Sequence, residues 1–314
     1  MAPTTTHAMS EEDAMTERRD DVEQPIVAGI DGSSESYHAA AWAAVDAALH
    51  GCSLRLVISA SVPPGFGPGP LLTDAESEWL RRNAQRTVDE ARRLARAAVN
   101  GEALQITTEV IFDPIIPHLI ARSRAARMLA VGSRGLGALR RGLLGSVGAA
   151  VTRHAWCPVA VVRAQSALDP VSAQRPVLVG VDGTPNSEPA LAAAFDEASL
   201  RKVGVVALHA WSDVSSSLAP VMTAWDAARE SEEAILSESL AGWSERFPDV
   251  DVRRILVQDK PARALLAESD NAQLVVVGSH GRGGFSGMLL GATSNALVAS
   301  VDCPIVVVRR RPVA

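Results

Sequence analysis

The sequence predicts an α/β protein of two tandem open-sheet domains, each a five-stranded parallel sheet with helices on both faces. Three observations carry that expectation. Apolar runs such as Val177–Val181 (VLVGV) and Leu274–Gly278 (LVVVG) lack the polar alternation of a half-solvated strand, which fits strands buried on both faces of a parallel sheet. Helical stretches separate them at a spacing that suits right-handed βαβ crossovers. The series also occurs twice: IVAGIDGS (Ile26–Ser33) returns as VLVGVDGT (Val177–Thr184), 151 residues later.

Taken in order, Pro25 opens a first strand that closes at Asp31, and an alanine-rich helix follows from Ser34 to His50. Leu54–Ala60 reads as the second strand. The stretch Pro63–Pro70 (PPGFGPGP) suits neither a helix interior nor a central strand. Asp74–Val99 forms a long helix, with Val88, Ala91, Ala95 and Ala98 on one face and arginines opposite. Ile106–Phe112 is the third strand, Pro114–Ser123 a short helix and Met128–Gly132 the fourth strand. A glycine-rich loop leads to a helix, Leu144–His154, and a closing strand, Pro158–Arg163. Residues 164–176 read as a linker between domains at 25–163 and 177–310. The second copy runs through a strand at Val205–Ala210, a long helix at Ala219–Arg246, a strand at Val252–Val257 and a helix at Pro261–Ser269. From the glycine loop onward the copies align without a gap at an offset of 146, which also relates Cys157 to Cys303.

Composition narrows the class. With 47% hydrophobic and 21% charged residues over 314 positions, the chain has enough apolar material for two cores. No apolar run approaches the roughly 18 uncharged residues of a membrane span. The segment 1–24 lacks the hydrophobic stretch of a secretory signal, and three cysteines without a CxxC pair fit a reducing cytoplasm. The net charge of −6 belongs to the tail. Residues 1–24 hold seven acids and two arginines, leaving 29 acids against 28 bases elsewhere. That tail is expected to be disordered, and the near-neutral remainder offers no basic surface for nucleic acid.

The glycine loops carry the functional signal. Gly132, Gly135 and Gly145 follow the spacing Gly-x2-Gly-x9-Gly, and Gly278, Gly281 and Gly291 repeat it. Glycines between a buried strand and a helix start let backbone N–H groups approach phosphate oxygens closely. A Walker A loop is excluded because the chain has no Gly-Lys pair, and GIDGSS and GVDGTP replace the Rossmann Gly-x-Gly-x-x-Gly. Asp31 and Asp182 close their strands where a ribose or adenine edge can be read; a turn or helix-capping role is the competing interpretation.

The strand–Asp-Gly-Ser/Thr start, the Gly-x2-Gly-x9-Gly frame and the closing Cys-Pro-Val/Ile-x-Val-Val strand resemble the universal stress proteins, in their tandem form, over residues 26–163 and 177–310. The resemblance implies a Rossmann-like open sheet, ATP with Mg2+ in each domain, closing strands that pair domains, and a regulatory role in stress survival. It implies no catalytic residues, and the histidines show no spacing for a protein-ligated metal. Carried over by position, Gly29, Asp31 and Ser59 line the adenosine side of site one. Gly132, Ser133, Arg134, Gly135, Leu136 and Gly137 wrap the phosphates, with Gly145, Ser146 and Val147 at the helix start. In site two the matching residues are Gly180, Asp182 and Ala210, then Gly278, Ser279, His280, Gly281, Arg282 and Gly283, then Gly291, Ala292 and Thr293. The two halves are expected to form an internal pseudo-dimer, with two chains pairing further and an unidentified protein partner reading the ATP state.

The copies are unequal. Ser146 supplies a hydroxyl that Ala292 lacks, with Thr293 or Ser294 as candidate replacements, and site one has Arg134, Arg140 and Arg141 where site two has His280 and Arg282. Site one is therefore expected to hold triphosphate more tightly. Cys157, Cys303 and the tryptophans Trp42, Trp156, Trp211, Trp225 and Trp243 are expected to pack in the core, and Arg81–Arg96 to form a solvated helix face. Two other classes remain open: a slow ATPase or nucleotidyl-transfer enzyme, and a scaffold whose glycines only make tight turns.

Overall fold

The structure, a computed structural model, describes residues 24–61, 73–99, 103–135, 144–163, 169, 171–211, 221–282 and 289–309, with only the backbone for 221–225. The expectations for the tail before residue 24, the stretch Pro63–Pro70, residues 164–168 and 170 of the linker, the first two residues of the helix predicted from Ala219, the side chain of Trp225, and Leu136, Gly137, Arg140, Arg141 and Gly283 fall outside the described residues.

The first half contains β1 (Ile26–Ile30), α1 (Ser34–Leu49), β2 (Leu54–Ser59), α2 (Asp74–Ala98), β3 (Ile106–Ile111), α3 (Ile115–Arg122), β4 (Met128–Gly132), α4 (Ser146–His154) and β5 (Val159–Val162). The second contains β6 (Val177–Val181), α5 (Glu188–Arg201), β7 (Val205–Trp211), α6 (Val221–Ser239), α7 (Trp243–Arg246), β8 (Val252–Gln258), α8 (Pro261–Ser269), β9 (Leu274–Gly278), α9 (Ala292–Ser300) and β10 (Ile305–Val308). They form one ten-stranded sheet in the order β3-β2-β1-β4-β5-β10-β9-β6-β7-β8. Strands within each half are parallel. The halves join through an antiparallel pair, β5 with β10, with Ile305 opposite Val161 and Val307 opposite Val159. The order reads alike from either edge, so a pseudo-two-fold axis passes between β5 and β10. The closing strands pair the halves within one chain.

The sheet separates two cores. Ile26, Ala28 and Ile30 of β1 face the layer holding Trp42 of α1, Val88 of α2 and Phe195 of α5. Val27 faces the opposite layer, with Leu119 of α3, Val151 of α4, Leu265 of α8 and Leu297 of α9. This period-2 division explains the uninterrupted apolar strands: both faces of each are covered. Local chemistry sets the helix starts. Ser33 caps α1 by accepting from the Ser36 N–H, and Thr73 and Glu76 form a reciprocal capping box at α2. Among the described residues no helix is long and apolar enough to cross a membrane.

Three expectations need correction. The predicted helix Ala219–Arg246 is broken into α6 and α7, because Gly242 takes a left-handed φ of 78°. The break turns Trp243 onto Phe195, with ring centroids 5.1 Å apart, and Phe247 joins the stack. Trp42, Trp211 and Trp243 are buried, but Trp156 is 44% exposed, covered on one face by the Arg124 guanidinium 4.1 Å from its ring centroid. Helix α4 also starts at Ser146 rather than Leu144, since Gly145 occupies the capping position.

Candidate functional site: two glycine-loop crevices

In each half the chain winds outward from the first strand and then returns to its other side. That reversal opens a crevice at the carboxyl ends of β1 and β4, and of β6 and β9, where open α/β sheets take ligands. Backbone contacts dictate the glycines that line it. A Cβ on Gly132 would lie 2.7 Å from the Glu35 carbonyl carbon and 2.8 Å from the Ser36 nitrogen, so α1 rests its first turn on this residue. A Cβ on Gly135 would collide with Asp31 Oδ2. The loop is then tied at both ends: the Ser133 N–H donates to the Val162 carbonyl and the Gly145 N–H to the Ser133 carbonyl, each at 2.9 Å.

Site two repeats the frame. Cβ atoms on Gly278 and Gly281 would lie 3.0 Å from the Asn186 carbonyl oxygen and from Asp182 Oδ2. Ser279 donates to Val308 and Gly291 to Ser279, each at 2.8 Å. Gly145 and Gly291 cap α4 and α9 with no side-chain hydrogen bond, which leaves the first-turn N–H groups and the positive end of the helix dipole at the crevice rim.

The aspartates serve both interpretations at once. Asp31 Oδ1 accepts from the Ser33 amide at 2.9 Å and the Ser33 hydroxyl at 2.6 Å. Asp182 Oδ1 accepts from the Thr184 amide and hydroxyl, both at 2.8 Å, and from the Ser187 hydroxyl. One carboxylate oxygen shapes the turn, while Oδ2 faces the loop glycine.

Of the other expected residues, Ser133 is buried, and its hydroxyl has no hydrogen-bond partner among the described residues. In site two the Ser279 hydroxyl lies 3.0 Å from His280 Nδ1. Ser146 and Ala292 are the exposed first residues of α4 and α9, followed by half-buried Val147 and Thr293. Gly29 and Gly180 do not face the crevice through their missing side chains; those positions admit Leu119 and Leu265 at 3.1 and 3.0 Å. Ser59 donates to the Asp113 carbonyl at 2.8 Å, and Ala210 is half-buried near the end of β7. Ser294 is corrected as a substitute phosphate donor, because its hydroxyl is given to the Gly278 carbonyl at 2.6 Å.

The charged linings differ. Arg134 pairs with Glu35 at 2.9 Å. Arg282 reaches across site two: its Nε donates to the Asp182 carbonyl, and its two terminal nitrogens meet Glu232 at 3.1 and 2.9 Å. Burial opposes ionisation of Glu232, but hydrogen bonds from Arg282 and His209 outweigh it and hold the carboxyl below its ordinary value. His209 is itself buried, 2.7 Å from both the Val181 carbonyl and Glu232. Sequence reasoning missed Glu232 and His209 because α6 and β7, which carry them, are remote in the chain from the glycine loop. His209 has Ile58 at its matching position 151 residues earlier, and that contrast was the available signal.

Comparison with known sequences identifies this architecture. The profile of the universal stress protein family matches residues 23–163 and again residues 174–309. The chain belongs to the universal stress protein family. A universal stress protein of Mycobacterium tuberculosis is 44% identical over 286 residues, covering 91% of this chain and 97% of the relative. One from Mycolicibacterium smegmatis is 43% identical over 294 residues, covering 92% and 98%. The crystal structure of a universal stress protein from Archaeoglobus fulgidus superposes with a TM-score of 0.63 at 21% identity, covering 91% of this chain and 96% of that one.

This universal stress protein also holds a charged cluster away from both crevices, where α1 meets α5. Asp46, His50 and Glu197 bring ligand atoms within 4.8 Å of one another. Two arginines already supply the cationic charge there. Arg201 binds Asp46 and, at 2.9 Å, Glu197, while Arg127 lies 2.7 Å from His50 Nδ1 and 2.9 Å from Asp196. The cluster is pseudo-symmetric. At the offset of 151, Asp46 matches Glu197 and His50 matches Arg201.

Proposed function

We propose that this universal stress protein binds ATP, with Mg2+, in both crevices and acts as a nucleotide-dependent regulator rather than as a catalyst. The observation that carries this reading is the approach of Gly135 to Asp31 and of Gly281 to Asp182, which sets a carboxylate and a glycine loop on one rim beside an uncapped helix start. The carboxylates serve the nucleoside hydroxyls. The loop amides and the starts of α4 and α9 take the phosphates, as such termini do without a lysine. Site one holds triphosphate more tightly, because Ser146 offers a hydroxyl where Ala292 has none; a paired loop arginine does not by itself separate the sites, since Glu35 engages Arg134 as Glu232 engages Arg282.

Bound nucleotide acts by favouring one arrangement of the crevice over another, to the extent that it binds the two differently, and a protein partner reads the difference. The β5–β10 pair occupies both closing strands inside one chain, so a second chain associates through another surface. The test is to denature the purified protein and identify released nucleotide, then to titrate nucleotide-free chain with ATP. Close to two ATP per chain with no sustained ADP release is expected. Absence of binding, or ADP formed over many turnovers, refutes the reading.

A further inference from the structure

Each closing strand ends in an arginine, Arg163 after β5 and Arg309 after β10, matched at the offset of 146. Their contacts obey the same symmetry and cross the pseudo-dyad. Arg309 donates to the carbonyls of Thr152 and Arg153 at the end of α4, at 3.3 Å for Thr152, and to Leu289 at 2.8 Å. Arg163 donates to the carbonyls of Val298, at 3.4 Å, and Ala299 near the end of α9. Each half thus sends a guanidinium to the C-terminus of the other half's loop helix, where a cation suits the dipole.

Helix capping leaves part of this chemistry unused. Arg309 also lines a cavity of about 210 Å³ together with Asn186, Ser279 and His280, beside the site-two glycine loop. Its Nε is buried and has no hydrogen-bond partner among the described residues. The partners described for Arg309 are neutral carbonyls, and burial alone displaces its pKa, downward. A partly desolvated cation facing a polar cavity with an unmet donor is matched by an anion. Site one gives parallel evidence. Burial depresses the pKa of Arg163 and the Arg134 charge adds to that, against an opposing contribution from Asp302. The geometry matches as well: the Ser133 N–H donates to the Val162 carbonyl as the Ser279 N–H does to that of Val308, which sets Arg163 next to the site-one loop in the place that Arg309 holds in site two.

We propose that Arg309 and Arg163 are phosphate-binding residues of sites two and one, each completing its own crevice while holding the loop helix of the other half. The assignment rests on the nucleotide reading of the glycine loops and supplies the cation that a missing Walker lysine leaves unaccounted for.

The test compares ATP and adenosine by calorimetry on the full chain carrying Gly145→Glu, which blocks site one: a Cβ there meets nothing closer than 3.5 Å, and the added carboxylate repels phosphate. Arg309→Gln is expected to weaken ATP by about ten- to a hundredfold, the equivalent of one charge-assisted hydrogen bond, and adenosine by less than threefold. Unchanged ATP affinity, or equal losses for both ligands, overturns the assignment. Because the variant also removes a helix cap, the unaltered chain is footprinted in parallel with phenylglyoxal. ATP, but not adenosine, should protect Arg309 and Arg163; equal labelling with and without ATP overturns it. Failure of the unaltered chain to bind either ligand defeats the nucleotide reading itself, whereas ATP binding that ignores Arg309 defeats only this assignment.

Discussion

The α1–α5 cluster makes a pH prediction whose size follows from the structure. Asp46 is fully buried. Burial and the neighbouring Glu197 carboxylate raise its pKa from 3.8 to about 7, against the opposing pull of Arg201 and His50. Between those values the folded chain keeps a proton that the unfolded chain has released, so stability falls as pH rises through the window. The pH range 4.5–6.5 isolates this group. Burial resists ionisation of Glu197, but Arg201 and His50 overcome it and lower its pKa from 4.5 to about 2, so its contribution is lost only below that range. Burial opposes charging of His50, but Glu197 and Asp46 outweigh it and raise its pKa above 6.5, so it is protonated in both states across most of the range. The remaining groups that face the cluster are Arg127, Asp196 and Arg201; burial opposes the charge of Arg201, but Glu197 and Asp46 outweigh it and raise its pKa, so it stays a cation throughout the range. One proton over two pH units amounts to about 2–3 kcal/mol. Asp46→Asn has no proton to hold. Urea unfolding of both chains at pH 4.5, 5.5 and 6.5 should show the variant gaining on the wild type by about that amount as pH rises. A difference flat to within ~0.5 kcal/mol would refute the shared-proton account.

Two further predictions concern the crevices. Gly132→Ala should cost about 1–3 kcal/mol of stability in a thermal or urea melt, because its Cβ meets the α1 backbone at 2.7 Å; Gly145→Ala, with φ −61° and no contact under 3.5 Å, should stay within about 0.5 kcal/mol. Glu232→Gln should raise ATP affinity at site two by up to about fivefold, measured by calorimetry with site one blocked by Gly145→Glu, since it removes one half-exposed ion pair that competes for Arg282.

The fold was legible because its signals are local. Apolar strands covered on both faces, alanine-rich helices and a repeat at offsets of 151 and then 146 require no knowledge of distant partners. The glycine frame was legible too, since Gly132 and Gly278 are imposed by backbone contact. What escaped depends on long-range geometry. The break at Gly242 serves the packing of Trp243 on Phe195, 48 positions earlier. The Asp46–Glu197 cluster joins residues about 150 positions apart, and only comparison of the two copies could have hinted at it. The role of Ser294 was missed for a simpler reason. Its counterpart is Gly148, which has no side chain, so the first copy offered no guide to where that hydroxyl would go.

The two crevices share a frame but not a lining, and the physical constraints on these two parts differ. At Gly132, Gly278, Gly135 and Gly281 an added Cβ would come within 3.0 Å of fixed backbone or of the turn-shaping aspartate, so the frame tolerates little change in either copy. The lining carries no such steric demand, and there the copies diverge: Ser146 against Ala292, Ile58 against His209, Leu136 against Arg282. His209 and Arg282 converge on Glu232, giving site two a polar latch that Ile58 and Leu136 cannot reproduce in site one. On the proposed reading a ligand in site two competes with Glu232 for Arg282, which His209 also backs, and one in site one competes with Glu35 alone for Arg134. The proposed nucleotide reading therefore predicts unequal occupancy of the two sites, from Ser146 against Ala292 and from the His209–Glu232–Arg282 latch.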